Sequence, residues 1–170
     1  MRKRRVYSII FGGIIIVLAI LSIIMLRSRS KTIIDEIAAS DVAQLQVIFN
    51  DINNSCQILG FDKQKNSIDF LTVKSFVGSE VGSMNLAYPK HWQGPYVQDN
   101  PEIKGIYYQV VVTDHGYFIT PGDGVKLSNG KVIGTDIPLD KSADIQNLVK
   151  MGELKDERGK ELAAAINIHG

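Results

Sequence analysis

The chain has 170 residues, a net charge of +1, 45% hydrophobic residues and a single cysteine. Twelve of its 19 basic residues and all 18 acidic ones lie from Thr32 onward, so that part carries a net −6 and lacks the clustered positive charge of a nucleic-acid binder. The lone Cys56 excludes an intramolecular disulfide, and the length after the first 31 residues suffices for one domain with its own core.

Residues 1–5 are a basic end, with Arg2, Lys3, Arg4 and Arg5. Residues 6–26 (VYSIIFGGIIIVLAILSIIML) contain no charge, and about 20 apolar residues span a bilayer core of roughly 30 Å. The segment is predicted to be a transmembrane helix in contact with the lipid bilayer. A cleaved signal peptide is the other reading, but the apolar part exceeds the usual h-region of about 7–15 residues. The charge bias places the N-terminus in the cytoplasm and the rest outside, which predicts a single-pass bacterial inner-membrane protein with a periplasmic C-terminal domain. Residues 27–137 form the expected domain. A helix is predicted over 33–59, where Ala38, Val42, Leu45, Phe49, Ile52, Cys56 and Leu59 recur every three or four positions. Asp35 and Glu36 fit its first turn, and Gly60 its end. No Pro or Gly interrupts residues 14–59, so anchor and helix are expected to form one rod.

Residues 60–105 read as a loop. Within it, 68–77 is ambiguous between helix and strand, and Trp92 and Tyr96 pin an irregular stretch. Residues 106–134 predict an antiparallel meander. IYYQVVVT at 106–113 and YFIT at 117–120 are rich in β-branched and aromatic residues, and short runs at 125–127 and 131–133 flank Asn129-Gly130. Residues 138–170 are expected to be a helical extension, with helices over 143–151, capped by Ser142, and over 156–166. The fold class is therefore α+β: a transmembrane helix continuing into a long amphipathic helix packed on a small antiparallel sheet, with a C-terminal helical segment.

The chemistry is sparse. His91, His115 and His169 stand in no zinc spacing, and the chain has no P-loop, GxGxxG or GxSxG motif. No catalytic residue is assigned and no enzyme is expected. Asp114, Asp123, Asp136 and Asp140 lie in turns of the β region, either as turn formers or as oxygen ligands for a hard cation.

The order of apolar segment, helix, irregular loop and meander resembles the type IV pilin and type II secretion pseudopilin family. Trp92-Gln93-Gly94-Pro95-Tyr96 is similar to the W-x-GPY element of major pseudopilins, and Gly116 to Ile137 is loosely similar to their glycine- and aspartate-rich stretch. The resemblance implies a pilin-like fold over residues 6–137, with Trp92, Gly94, Pro95 and Tyr96 framing a structural loop. It implies Asp123 and Asp136 as calcium positions, calcium being the one candidate cofactor. It implies a structural subunit of a membrane-embedded secretion or pilus-type machinery, packing Ile34, Ile37, Val42, Leu45, Phe49 and Ile52 against other pilin-like subunits, secretion-machinery subunits or further copies of the chain. The chain departs from the family in lacking a glycine at the leader junction and a glutamate five residues on, which implies an unprocessed N-terminus. A membrane-tethered periplasmic binding module is the alternative function, and a membrane-anchored enzyme a third.

Overall fold

The computed structural model describes residues 2–168, and the side chains of all of these except 2–14, 24 and 26–32. The chain is α+β. Helix α1 runs over Arg2–Cys56 without a break. From Asp35 onward its stripe of Asp35, Ala38, Val42, Leu45, Phe49, Ile52 and Cys56 is buried, at alternating spacings of three and four. The helix stops at Cys56, not Leu59, because Gln57 takes a left-handed φ of 53° and the chain turns directly into a strand. Asn53 fixes this end. Its Oδ1 accepts from the Ile58 amide at 3.0 Å and its Nδ2 donates to the Asn167 carbonyl at 2.8 Å.

Three antiparallel sheets pack against α1. The first orders β1 (Ile58–Phe61), β4 (Met84–Leu86) and β3 (Glu80–Val81). The second orders β2 (Lys65–Ser67), β7 (Gln109–Thr113), β8 (Gly116–Thr120) and β9 (Ala164–Ile166). The third pairs β5 (Glu102–Ile103) with β6 (Ile106–Tyr107). A single core joins them. Phe49 reaches Phe61 and Phe70 at ring distances of 6.2 and 6.1 Å, and Phe61 reaches Tyr117 at 5.7 Å.

Several expectations are corrected. Among the described residues no helix is long and apolar enough to cross a membrane. The described apolar run within 6–26 is Ile15–Ile23 plus Met25, roughly half of what a bilayer core requires, and the remaining side chains of 6–26 lie outside the described residues. The transmembrane anchor and the single-pass inner-membrane placement therefore do not stand. Nor is there a long amphipathic helix over 33–59. The helix ends at Cys56, and opposite the buried stripe it exposes Ile33, Ile37, Ala43 and Val47 mixed with Ser40 and Gln44, so no clean polar face stands against the apolar one.

The C-terminal helical extension is replaced too. Only α2 (Ile145–Lys150) is helical, and Asp144 rather than Ser142 caps it, accepting the Asn147 amide at 2.9 Å. The candidate helix over 156–166 is a turn followed by β9. Gly159 breaks it at φ +79°, and β9 satisfies its backbone by pairing Ala164 with Ile119 and Ala165 with Phe118. In the meander, 106–113 divides into β6 and β7 around the buried Tyr108, and the 125–133 hairpin keeps one bridge, Lys126 to Val132. Strands from the expected loop and from the expected helical extension, β2 and β9, complete the sheet.

Phe49 is fully buried whereas Val47 is exposed. Phe49→Ala should lower the unfolding free energy by about 3–5 kcal/mol, and Val47→Ala should leave it within about 0.5 kcal/mol of the wild type. Urea denaturation of the two variants checks both.

Candidate functional site

The chemistry-bearing side chains group in three places. The first is the neck of α1, where the helix leaves the domain. Asp35 accepts the Ser128 amide at 3.1 Å on each oxygen and the Ser128 hydroxyl on Oδ2. One residue on, Glu36 pairs with Arg158 at 2.7 Å. The neck is thus gripped by the turn around Ser128 and by the turn at 156–160. Asn129 and Lys131 tie the Ser128 turn to the segment after α2, donating to the Glu153 carbonyl at 3.4 Å and to its carboxylate at 2.5 Å. Lower down, Tyr108 donates to Asp41 at 2.8 Å, and burial together with that carboxylate raises the phenol pKa far above its ordinary range.

The second place is the Trp92 strap. Trp92 Nε1 donates to the Val73 carbonyl at 3.0 Å, and the indole meets Tyr96 edge-on at 4.8 Å and Phe76 at 5.5 Å. Tyr96 donates its amide to Leu71 at 2.8 Å. A Cβ on Gly94 would stand 2.4 Å from both Trp92 Nε1 and the Val73 oxygen, so no other residue fits without displacing the indole. Pro95 is exposed beside them. Of the four residues expected to frame this loop, Trp92 meets Gly94 and Tyr96. His91 Nδ1 lies 3.0 Å from the Ser55 carbonyl, which sets the strap against the last turn of α1.

The third place holds Asp123 and Asp136. Asp123 binds Lys65 at 2.5 Å and accepts Gln109 at 3.1 Å. Burial pushes its carboxyl upward, but the Lys65 and Gln109 hydrogen bonds and the lysine charge outweigh that and hold it below the usual carboxylate range. Asp136 accepts the Val132 amide at 2.8 Å. Asp140 accepts the Ser142 amide and hydroxyl, and Asp114 lies 3.8 Å from Lys141. Each carboxylate already has a protein partner, and among the described residues no three His, Cys, Asp or Glu side chains are grouped to hold a metal ion. His115 is exposed in the β7–β8 turn, and His169 lies outside the described residues.

Of the six residues expected to face partner helices, Val42, Leu45, Phe49 and Ile52 are core. Ile34 is half-buried, and Ile37 is 47% exposed. The outward stripe is instead Ile33, Ile37, Ser40, Ala43 and Val47, the last 60% exposed. Farther along α1, Ile15, Ile16, Val17, Leu18, Ile20, Leu21, Ile23 and Met25 are each more than half exposed. Beside the stripe runs a groove of about 590 Å³ between Ala39, Ala43 and Val47 of α1 and Lys160, Glu161 and Ala164. Its floor is sealed where Gln46 Nε2 donates to the Ala165 carbonyl at 3.1 Å, capping the outer edge of β9.

Sequence reasoning missed Ser128, Asn53 and Gln46, which reach partners far away in the chain. Asp35 carried a usable signal: it stands three residues before Ala38, on the same stripe as the core positions. No protein-family model, curated protein or solved structure matches the chain.

Two outcomes follow from this geometry. Gly94→Ala should lower the melting temperature and red-shift the emission of the single tryptophan as the indole is pushed from Val73, whereas Gln93→Ala should do neither. The lowered Asp123 carboxyl contributes stability above the ordinary carboxylate pKa of about 4 that is lost as pH falls through the folded value. Because both side chains are partly exposed, Lys65→Met should cost no more than about 1 kcal/mol near pH 7, and the difference should vanish in acid.

Proposed function

We propose that this chain is a structural subunit, pilin- or pseudopilin-like, of a secretion or pilus-type assembly, and that it acts by packing α1 against the helices of neighbouring subunits. The observation that carries this reading is the outward face of α1. Exposed apolar side chains cluster between Ile15 and Met25 and recur at Ile33, Ile37 and Val47, more than the scattered singles normal on a surface. Ser40 and Ala43 between Ile37 and Val47 make a shallow channel into which the ridge of another helix fits. The sparse chemistry agrees with a structural role. The Trp92 strap and the β9 edge cap hold the domain rigid around the lower half of α1, which suits a part whose task is to present that helix.

Covering an exposed aliphatic side chain is worth about 1.5–3 kcal/mol. An Ile37→Asp/Val47→Asp variant should therefore associate with copies of the chain or with partner subunits at least about tenfold more weakly. Its domain melting temperature should stay unchanged, since neither side chain is core. Sedimentation at graded concentrations and co-purification from cells both report this. Association equal to the wild type would contradict the proposal.

A further inference from the structure

Asn129-Gly130 closes a turn that the outward face of α1 does not use. Asn129 is the only asparagine in the chain followed by glycine. Both residues are exposed, and a Cβ on Gly130 would meet nothing within 4 Å, so water reaches the peptide bond between them. The side-chain amide is set up for attack from that bond. Its Oδ1 accepts the Lys131 amide at 2.9 Å, which places a donor on the oxygen where charge develops when Cγ is attacked. Its Nδ2, the leaving group, is held by a long hydrogen bond to the Glu153 carbonyl at 3.4 Å. Gly130 brings no Cβ to shield its nitrogen. Its amide donates to the Leu127 carbonyl at 3.0 Å, a bond that local opening of an exposed turn releases.

We propose that Asn129 is a modification site, where spontaneous deamidation to isoaspartate loosens the grip of the Ser128 turn on the neck of α1. The Gly130 nitrogen gives up its proton and bonds to Asn129 Cγ, the Cγ–Nδ2 bond breaks, and Nδ2 leaves as ammonia with that proton. Water then opens the cyclic imide. Opening at Cγ leaves aspartate, and opening at the main-chain carbonyl leaves isoaspartate, whose backbone runs through Cβ and Cγ. The sum consumes water and releases ammonia, with no oxidant or reductant. The added backbone carbon falls inside the turn. Gly130 donates to the Leu127 carbonyl and the Leu127 amide to the Lys131 carbonyl at 2.9 Å, and these bonds close a loop whose length isoaspartate changes. Ser128 sits within that loop, and its amide and hydroxyl hold Asp35. The lengthened turn cannot keep both closing bonds and the Ser128 contacts together.

The test ages the folded full chain at physiological temperature and mildly alkaline pH, as wild type, Asn129→Gln and Asn129→Asp. Peptide mass mapping locates deamidation, and enzymatic methylation of isoaspartyl groups identifies the product. Asn129 should convert at least about tenfold faster than every other asparagine, and faster as pH rises, because the step begins with loss of the amide proton. The aged wild type should melt below the fresh protein. Asn129→Gln, whose longer side chain closes a ring less readily, should keep its melting temperature on ageing. Asn129→Asp carries the new charge without the extra backbone carbon, and should melt closer to the fresh wild type than the isoaspartyl form does. Conversion only in the urea-unfolded chain, or faster conversion at another asparagine, would remove the site. Conversion at 129 with an unchanged melting temperature, or an equal loss in Asn129→Asp, would overturn the loosening of the neck.

Discussion

The burial of one stripe of α1 governs the rest of the structure. Ala38, Val42, Leu45, Phe49, Ile52 and Cys56 face a common core, and none of the three small sheets could stand without them. Sheets of two to four short strands bury too little apolar surface to be stable alone. Here they share one core with the helix, and the aromatic cluster of Phe49, Phe61, Phe70 and Tyr117 joins the first two sheets to it. Strand β9 closes the four-stranded sheet, Gln46 caps its outer edge, and Asn53 holds the Asn167 carbonyl beyond it.

A helix committed to the core on one face ordinarily turns a polar face to water. Over 33–47 this one also exposes Ile33, Ile37 and Val47 among Ser40, Ala43 and Gln44, and exposed apolar side chains recur between Ile15 and Met25. The same rod thus has two tasks: the buried stripe organises the domain, and the outward stripe is left for a partner. Between the two tasks lies the neck, where Asp35 and Glu36 are clasped by turns from distant parts of the chain.

Part of this organisation is written in local pattern. The three-four spacing from Ala38 to Cys56 marks a helix, although Val42, Leu45, Phe49 and Ile52, expected to face partners, are core, and the turn at Asp114-His115 joins β7 to β8. What fails has a physical reason in each case. The 6–26 run reads as a bilayer span by composition, a property that no local rule weighs against the rest of the fold. Asp35 reads as a first-turn acid only if the helix starts at Ile33; in a helix that begins at Arg2 the same residue is mid-helix and buried. Residues 156–166 have helix-forming composition, but the free edge of β8 competes for them and Gly159 favours the turn. Ser128, Asn53 and Gln46 act on partners more than 90 residues away, and no window along the sequence contains both halves of such a contact.

The account stands or falls on whether the outward face of α1 is an interface. Site-specific photocrosslinking from position 40, in the middle of that stripe, tests this most directly, with position 102 on the exposed strand β5 as the reference. The account predicts crosslinks from 40 to the helix of another copy or of a pilin-like partner, and few from 102. Crosslinks from 102 alone, or none from 40 in assembled material, would contradict it.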